Sequence, residues 1–291
     1  MIDYGSMASP KIQYFKERNM KLSIGIDVAK RKMDVAFCNS ERIFLEKQYD
    51  NDAAGFRKLI EKIVSETGYD EKLATMEVTG IYHLKLAEAL IKAGIKTSTV
   101  NPLIIKRYAQ MKMRRAKTDK VDARVIAEYG MDEKPYEYKP KSEKEQDIED
   151  IVKLIDDYKQ IKTQITNRIE ALINKPQCNQ IALNSLKDHA KQLKNNIKML
   201  EKELKKIMKE YFLEDYKLLE KVPAIGLVST AVIIGMLGSY KSFEKANQVI
   251  SFIGTSPVPN QSGTTLHKTE SISKQGNGYI RRIFFLYHCQ L

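Results

Sequence analysis

The chain has 291 residues, 43% of them hydrophobic, enough to bury a sizeable core and to build two or three domains. Its 49 Lys and Arg against 37 Asp and Glu leave a formal net charge of +12, which favours a polyanionic partner. Three scattered cysteines, Cys38, Cys178 and Cys289, have no metal-ligand spacing and suit reduced thiols in the cytosol, and no apolar run is long enough to span a bilayer.

Residues 1–20 are polar and irregular, and we expect a poorly ordered leader. From residue 21 the pattern predicts a first strand ending in Asp27-Val28, then strands at 32–38 and 42–48. A helix at 51–66 carries Phe56, Leu59, Ile60 and Ile63 on one face. The fourth strand, at 73–78, closes on Glu77. A helix over 81–93 capped by Gly94, a strand at 96–100 and a helix opened by Asn101-Pro102 follow. Three strands followed by alternating helices and strands predict an α/β ribonuclease-H-like domain over residues 21–133.

A Pro- and Lys-rich linker begins at 134. Ile151, Ile155, Tyr158, Ile165, Ile169 and Leu172 then recur at helical spacing. After the break at Pro176, Leu183, Leu186, Ala190, Leu193, Ile197, Leu200, Leu204 and Ile207 keep a heptad rhythm. The two stripes predict an antiparallel coiled-coil hairpin ending near 216, each arm about 40 Å long at 1.5 Å per residue. A helical pair packed on the parent domain is the alternative. Residues 217–291 read as a mainly α C-terminal domain. In it, Val222-Pro223-Ala224-Ile225-Gly226 resembles a helix-hairpin-helix turn whose backbone amides can meet a phosphate, although an ordinary αα-turn would look the same. Apolar helices are expected at 227–237 and 243–253, a loop at 257–265, and a last helix from about Asn277.

Four carboxylates carry the chemistry. Asp27 and Glu77 sit at strand ends, and Asp119 and Asp122 are three residues apart on a predicted helix. Taken singly, each has a plain structural explanation. Gathered at one point they repel unless a cation neutralises them, and all-oxygen ligands suit Mg²⁺ or Mn²⁺. Arg114, Arg115, Lys117 and Lys120 crowd the approach to the last two, as a nucleic-acid substrate would require. Ser262, in Asn260-Gln261-Ser262-Gly263, reads by composition as a turn serine; Lys268, Lys274, Arg281 and Arg282 beyond it could hold a phosphate or lie on the surface. No Walker-type loop appears, and the four histidines show no ligand spacing.

Three segments resemble the signatures of the DEDD transposases of insertion sequences, the IS110 group, which is similar also to the Piv DNA invertase. They are Gly25-Ile26-Asp27-Val28-Ala29-Lys30, Met76-Glu77-Val78-Thr79-Gly80-Ile81-Tyr82 and Lys117-Thr118-Asp119-Lys120-Val121-Asp122-Ala123. Val222 to Gly226, Gln261-Ser262-Gly263, Ile272 to Asn277 and Arg281-Arg282 extend the likeness in the same order. The resemblance implies a RuvC-like domain in which Asp27, Glu77, Asp119 and Asp122 hold divalent metal. It implies Ser262 as the nucleophile that forms a covalent link to DNA. It further implies a homo-oligomer, dimer or tetramer, joined through the coiled coil, and a structured noncoding RNA as guide. Ala224 stands where the family usually has Gly, and relatives usually continue past residue 291, so a truncated C-terminal domain is expected. Three other functions share parts of this pattern. A junction-resolving nuclease would use the same acids with water, a sugar kinase or actin-like ATPase would need glycine-rich loops in the second half, and a disabled copy would only bind nucleic acid.

Overall fold

A computed structural model describes residues 20–78, 80–113, 119–223, 225–237, 243–262, 266–274 and 276–288. The predicted leader, Arg114, Arg115, Lys117 and Ala224 lie outside the described residues. Two compact units divide between Pro140 and Lys141.

The first unit is built on a five-stranded sheet in the order β3-β2-β1-β4-β5. Strands β1 (Lys21–Val28), β2 (Lys32–Cys38) and β3 (Ile43–Asp50) form an antiparallel meander. Strands β4 (Glu71–Glu77) and β5 (Lys96–Val100) add in parallel on the other side of β1. This is the ribonuclease-H-like strand order expected from the sequence. β1 is central, and from Leu22 to Ile26 its residues are buried on both faces. Helix α1 (Ala53–Ser65) starts where the Asp52 side chain accepts from the Gly55 amide at 2.8 Å. It buries Phe56, Leu59 and Ile63 in a core shared with Ile24, Ile26, Met76 and α2 (Leu84–Lys92). Gly94 follows α2 at a φ of +74°, the left-handed stop for which glycine is suited. Helix α3 (Pro102–Met111) is capped by Asn101, whose side chain accepts from the Leu103 amide. Helix α4 (Asp119–Asp132) crosses one face of the sheet.

In the second unit, α5 (Glu143–Ile173) begins with a capping box made by Ser142 and Glu145 and pairs with α6 (Gln180–Tyr211). Both apolar stripes read from the sequence are buried or half-buried. At the base, Ile148, Val152, Ile155, Leu204 and Met208 join a core with Val228, Val232, Ile280 and Ile283. Toward the connecting turn, Ile173 and Ile181 are exposed. Helix α7 (Leu213–Glu220) leads to α8 (Leu227–Ala231).

Three expectations need correction here. The apolar run 227–237 is not one α-helix, because α8 passes into a π-helical turn at Val232–Met236. There Gly235 packs directly on the fully buried Ile148, and a Cβ at that position would come within 2.5 Å of Ile148 Cγ2. The next helix, α9 (Ala246–Ile253), starts at Ala246 rather than at 243, because the Gln248 side chain accepts from the backbone amides of Glu244 and Lys245 ahead of it. Finally, the expected loop at 257–265 contains a strand. β6 (Pro257–Ser262) pairs antiparallel with β7 (Leu266–Ile272), with a register shift between Pro257 and Pro259 that accommodates the prolines. Helix α10 (Gly278–His288) follows as expected, its first turn capped by Asn277.

Candidate active site

Asp27 and Glu77 are brought level by strand register. β1 and β4 run parallel with Ile26 opposite Met76, so the next residue on each strand is an acid at the carboxyl end of the sheet. Ile26 and Met76 are fully buried, which fixes the two strand ends from beneath, while Asp27 and Glu77 are half-buried.

Helix α4 is set over this row by contacts to its backbone that follow β1 in reverse. The Lys21 ammonium donates to the Gly130 carbonyl at 2.6 Å, and the Ser23 hydroxyl donates to the Ala127 carbonyl at 2.7 Å. Gly25 lies under Ala123 and Ala127; a Cβ there would meet Ala123 O and Ala127 N, each at 2.2 Å. Moving up β1 from Lys21 to Gly25 therefore moves down α4 from Gly130 to Ala123. The N-terminal turn of α4, which carries Asp119 and Asp122, points to the strand ends that carry Asp27 and Glu77. Asp122 is half-buried; the side chains of Asp119 and Lys120 lie outside the description. Arg124, two residues beyond Asp122, forms a two-pronged ion pair with Glu46 of β3 and ties α4 to the sheet.

Among the described residues no group of three or more His, Cys, Asp or Glu is close enough to hold a metal ion. The donor chemistry nonetheless fits a hard divalent cation, since the acids that share this end of the sheet offer carboxylate oxygens alone.

Ser262 falls in the second unit at the end of β6, where its backbone pairs with Leu266. Lys268 pairs with Asn260 one strand over. The side chains of Ser262 and Lys268 lie outside the description. Gly226 is the residue before α8 and is exposed, and Lys274 is exposed with a φ of +54°. The two arginines already have protein partners. Arg281 donates to the Ile253 carbonyl at 2.8 Å, and Arg282 pairs with Asp156 while stacking on the Tyr279 ring.

Comparison with known proteins assigns the chain. Residues 24–176 match a transposase family of the IS110 DEDD type, and residues 216–289 match the transposase IS116/IS110/IS902 family. The pilin gene-inverting protein of Moraxella lacunata is 30% identical over 270 residues, covering 91% of this chain and 81% of that protein. The chain belongs to the IS110 family of transposases. The transposase for insertion sequence element IS1111A of Coxiella burnetii is 23% identical over 218 residues, covering 65% of this chain and 58% of that protein. Among solved structures, RuvC of Thermus thermophilus matches with a TM-score of 0.32 at 10% identity, over 40% of this chain and 99% of RuvC.

Membership in the transposase family gives the acid row its context, and the structure adds two features that the sequence reading missed. Asp34 of β2 stands directly opposite Asp27, and the Gln48 amide donates to both its oxygens at 3.1 and 3.3 Å. Counting alternate residues along 32–38 from the Asp27 pairing would have found it. The Glu46–Arg124 pair spans 78 positions in sequence, and no local pattern signals it.

Proposed function

We propose that this chain is a DNA recombinase that cuts and rejoins strands through a serine–DNA linkage, with a carboxylate-held divalent metal at the sheet edge. The observation that carries this reading is the shared level of Asp27 and Glu77 on adjacent parallel strands, with the N-terminus of α4 turned to the same end. Asp27, Glu77, Asp119 and Asp122 would hold Mg²⁺ or Mn²⁺, which supplies charge stabilisation at a reacting phosphate. Ser262 Oγ attacks the phosphorus, the strand oxygen leaves with a proton, and a phosphoserine ester remains. Attack by another strand's hydroxyl on that ester releases Ser262 and restores a phosphodiester, so no external energy source is needed.

The cationic balance of the chain supports DNA as the partner, with Arg114, Arg115, Lys117 and Lys120 close in sequence to Asp119 and Asp122, and Gly226, Lys268 and Lys274 in the second unit. Arg281 and Arg282 serve the fold through Ile253 and Asp156, and any phosphate contact they make competes with those bonds. The α5–α6 pair is a coiled coil that joins copies into a dimer or tetramer, and a structured noncoding RNA of the element selects the DNA. Both statements extend the family resemblance.

The test is a denaturation-resistant protein–DNA adduct on supercoiled DNA carrying the element ends, with flanking RNA and Mg²⁺. We expect an adduct that needs metal and disappears in Ser262→Ala and in Asp27→Ala. Cleavage that ignores Ser262→Ala and leaves no adduct would replace this reading with a water-using nuclease. Salt-sensitive DNA binding with neither adduct nor cleavage would leave only a nucleic-acid-binding protein.

A further inference from the structure

The loop that leaves Glu77 displays apolar side chains outward while being held firmly from below. Ile81 is 73% exposed and Tyr82 43% exposed. Beneath them, His83 is buried, with its ring edge-on to Tyr138 at 6.4 Å. Val78 N donates to the Val100 carbonyl at 3.0 Å, and Leu84 N closes a turn onto the Ile81 carbonyl at 3.2 Å. The Asn51 amide bridges the Ala29 carbonyl, at 2.8 Å, and the Tyr82 carbonyl, at 3.3 Å. That bridge joins the loop to the β1–β2 turn, where Lys30 and Arg31 are exposed.

An isoleucine and a tyrosine held outward by a braced loop lose apolar burial, and single exposed apolar residues need no special account. Here two adjacent ones stand four and five residues beyond a candidate catalytic acid, with two cations tied to the same loop by one asparagine. Exposed apolar side chains on a loop tied to a turn that carries two exposed cations match a nucleotide, with its base on the side chains and its phosphates on the cations.

We propose that Ile81 and Tyr82 form a platform for an unpaired base of the DNA strand entering the acid site, with Lys30 and Arg31 gripping the flanking phosphates. The proposal rests on the DNA-processing role above. It adds that the substrate is locally unpaired at the site rather than read as an intact duplex. Opening the duplex exposes a base face, and the platform compensates part of the lost stacking.

The experiment measures binding of the full-length chain, with the flanking RNA and Mg²⁺ present, to two fluorescent DNAs of one sequence, one fully paired and one with a three-nucleotide bubble containing 2-aminopurine. Wild type is expected to prefer the bubble and to quench its 2-aminopurine. Tyr82→Ala should weaken bubble binding about 10-fold, with little change for the duplex and an unchanged salt slope. Tyr82→Phe should keep the preference, since the ring remains. Lys30→Gln with Arg31→Gln should instead lower the salt slope on both DNAs by about one for each phosphate no longer neutralised. Equal affinities for the two DNAs, or a Tyr82→Ala weakening equal on both, overturns the platform and leaves the recombinase reading standing. So does a Tyr82→Ala change in sedimentation mass without a change in bubble preference, because the patch would then join copies of the chain. Wild type that binds neither DNA overturns both.

Discussion

The two units hold their candidate chemistry in opposite ways. In the first, the acids stand at the ends of adjoining strands whose preceding residues, Ile26 and Met76, are fully buried, beneath a helix seated backbone to backbone on Gly25. In the second, Ser262 ends a strand of a two-stranded ribbon, an arrangement of marginal stability by itself. A metal site needs several oxygens at fixed separations, so it belongs on a packed sheet. Under the proposed mechanism the nucleophile must attack, stay bonded to DNA and then be released, steps that a two-stranded ribbon can follow more readily than a packed sheet. The difference predicts that substitutions beneath the acids act through folded structure, whereas substitutions at the ribbon act mainly through chemistry.

The largest expected effect is Gly25→Val. Its Cβ would fall 2.2 Å from two backbone atoms of α4, neither of which can yield without lifting the helix. We expect at least about 3 kcal/mol of destabilisation. Hydrogen exchange should show the loss in α4 and β1, while α5 and α6 keep their protection. Equal loss in both units would erase the contrast drawn above. Gly235→Ala probes the second unit in the same manner. Its Cβ would sit 2.5 Å from Ile148 Cγ2, whose parent residue is fully buried, and 3.2 Å from the Glu145 carbonyl. A loss of about 2 kcal/mol, seen as faster exchange in the π-turn and the first half of α5, is expected.

A smaller effect probes the brace on the acid side. Burial pushes the His83 imidazole below its ordinary value of 6.5, outweighing the opposing influence of the Gly80 backbone. The folded chain therefore binds this proton less readily than the unfolded chain. Its stabilising contribution is complete above pH 6.5 and erodes as the pH falls below that value. Melting curves at pH 7.5 and 5.5 should show a drop at the lower pH that His83→Phe reduces. An unchanged pH response in that variant would remove His83 as the brace of the loop.

Much of the first unit was legible because its signals are local. The apolar runs ending in Asp27 and Glu77 fix strand and terminus together, and Asn101-Pro102 and Gly94 mark helix ends by their own chemistry. The second unit hid its details for physical reasons. Pro257, Pro259 and the Gly263-Thr264-Thr265 stretch read as turn formers, yet a bulged two-stranded ribbon accepts prolines because an edge strand need not donate every amide. The continuous apolar run 227–237 has no periodicity from which a π-turn could be read, and Ile148, which packs against Gly235 of that turn, lies almost 90 residues earlier. The ion pair of Arg282 could not be read beside its candidate phosphate role because its partner Asp156 is 126 positions away.

The smallest stability effect carries the sharpest functional contrast. The Arg124 and Glu46 side chains are 44% and 30% exposed, and an ion pair screened to that degree contributes about 1 kcal/mol or less. Arg124→Met should therefore shift the melting temperature by only a few degrees. Yet the pair fixes α4 laterally at the turn that bears Asp122, and displacement of a catalytic group by even 1 Å can cost about 100-fold in rate. We expect adduct formation to fall by about 10-fold or more, with DNA affinity reduced much less, and to recover in the exchanged pair Arg124→Glu with Glu46→Arg. The matching pair in the second unit, Arg282 with Asp156, has a carboxylate only 12% exposed and should behave inversely. Arg282→Met should cost more stability than Arg124→Met, because it leaves a largely buried acid without its cation and with the Gln160 amide still donating to it, and should cost less activity per unit of stability lost. If the two variants instead lose activity in proportion to stability, α4 is not held to the sheet by Glu46 in any way that matters for catalysis.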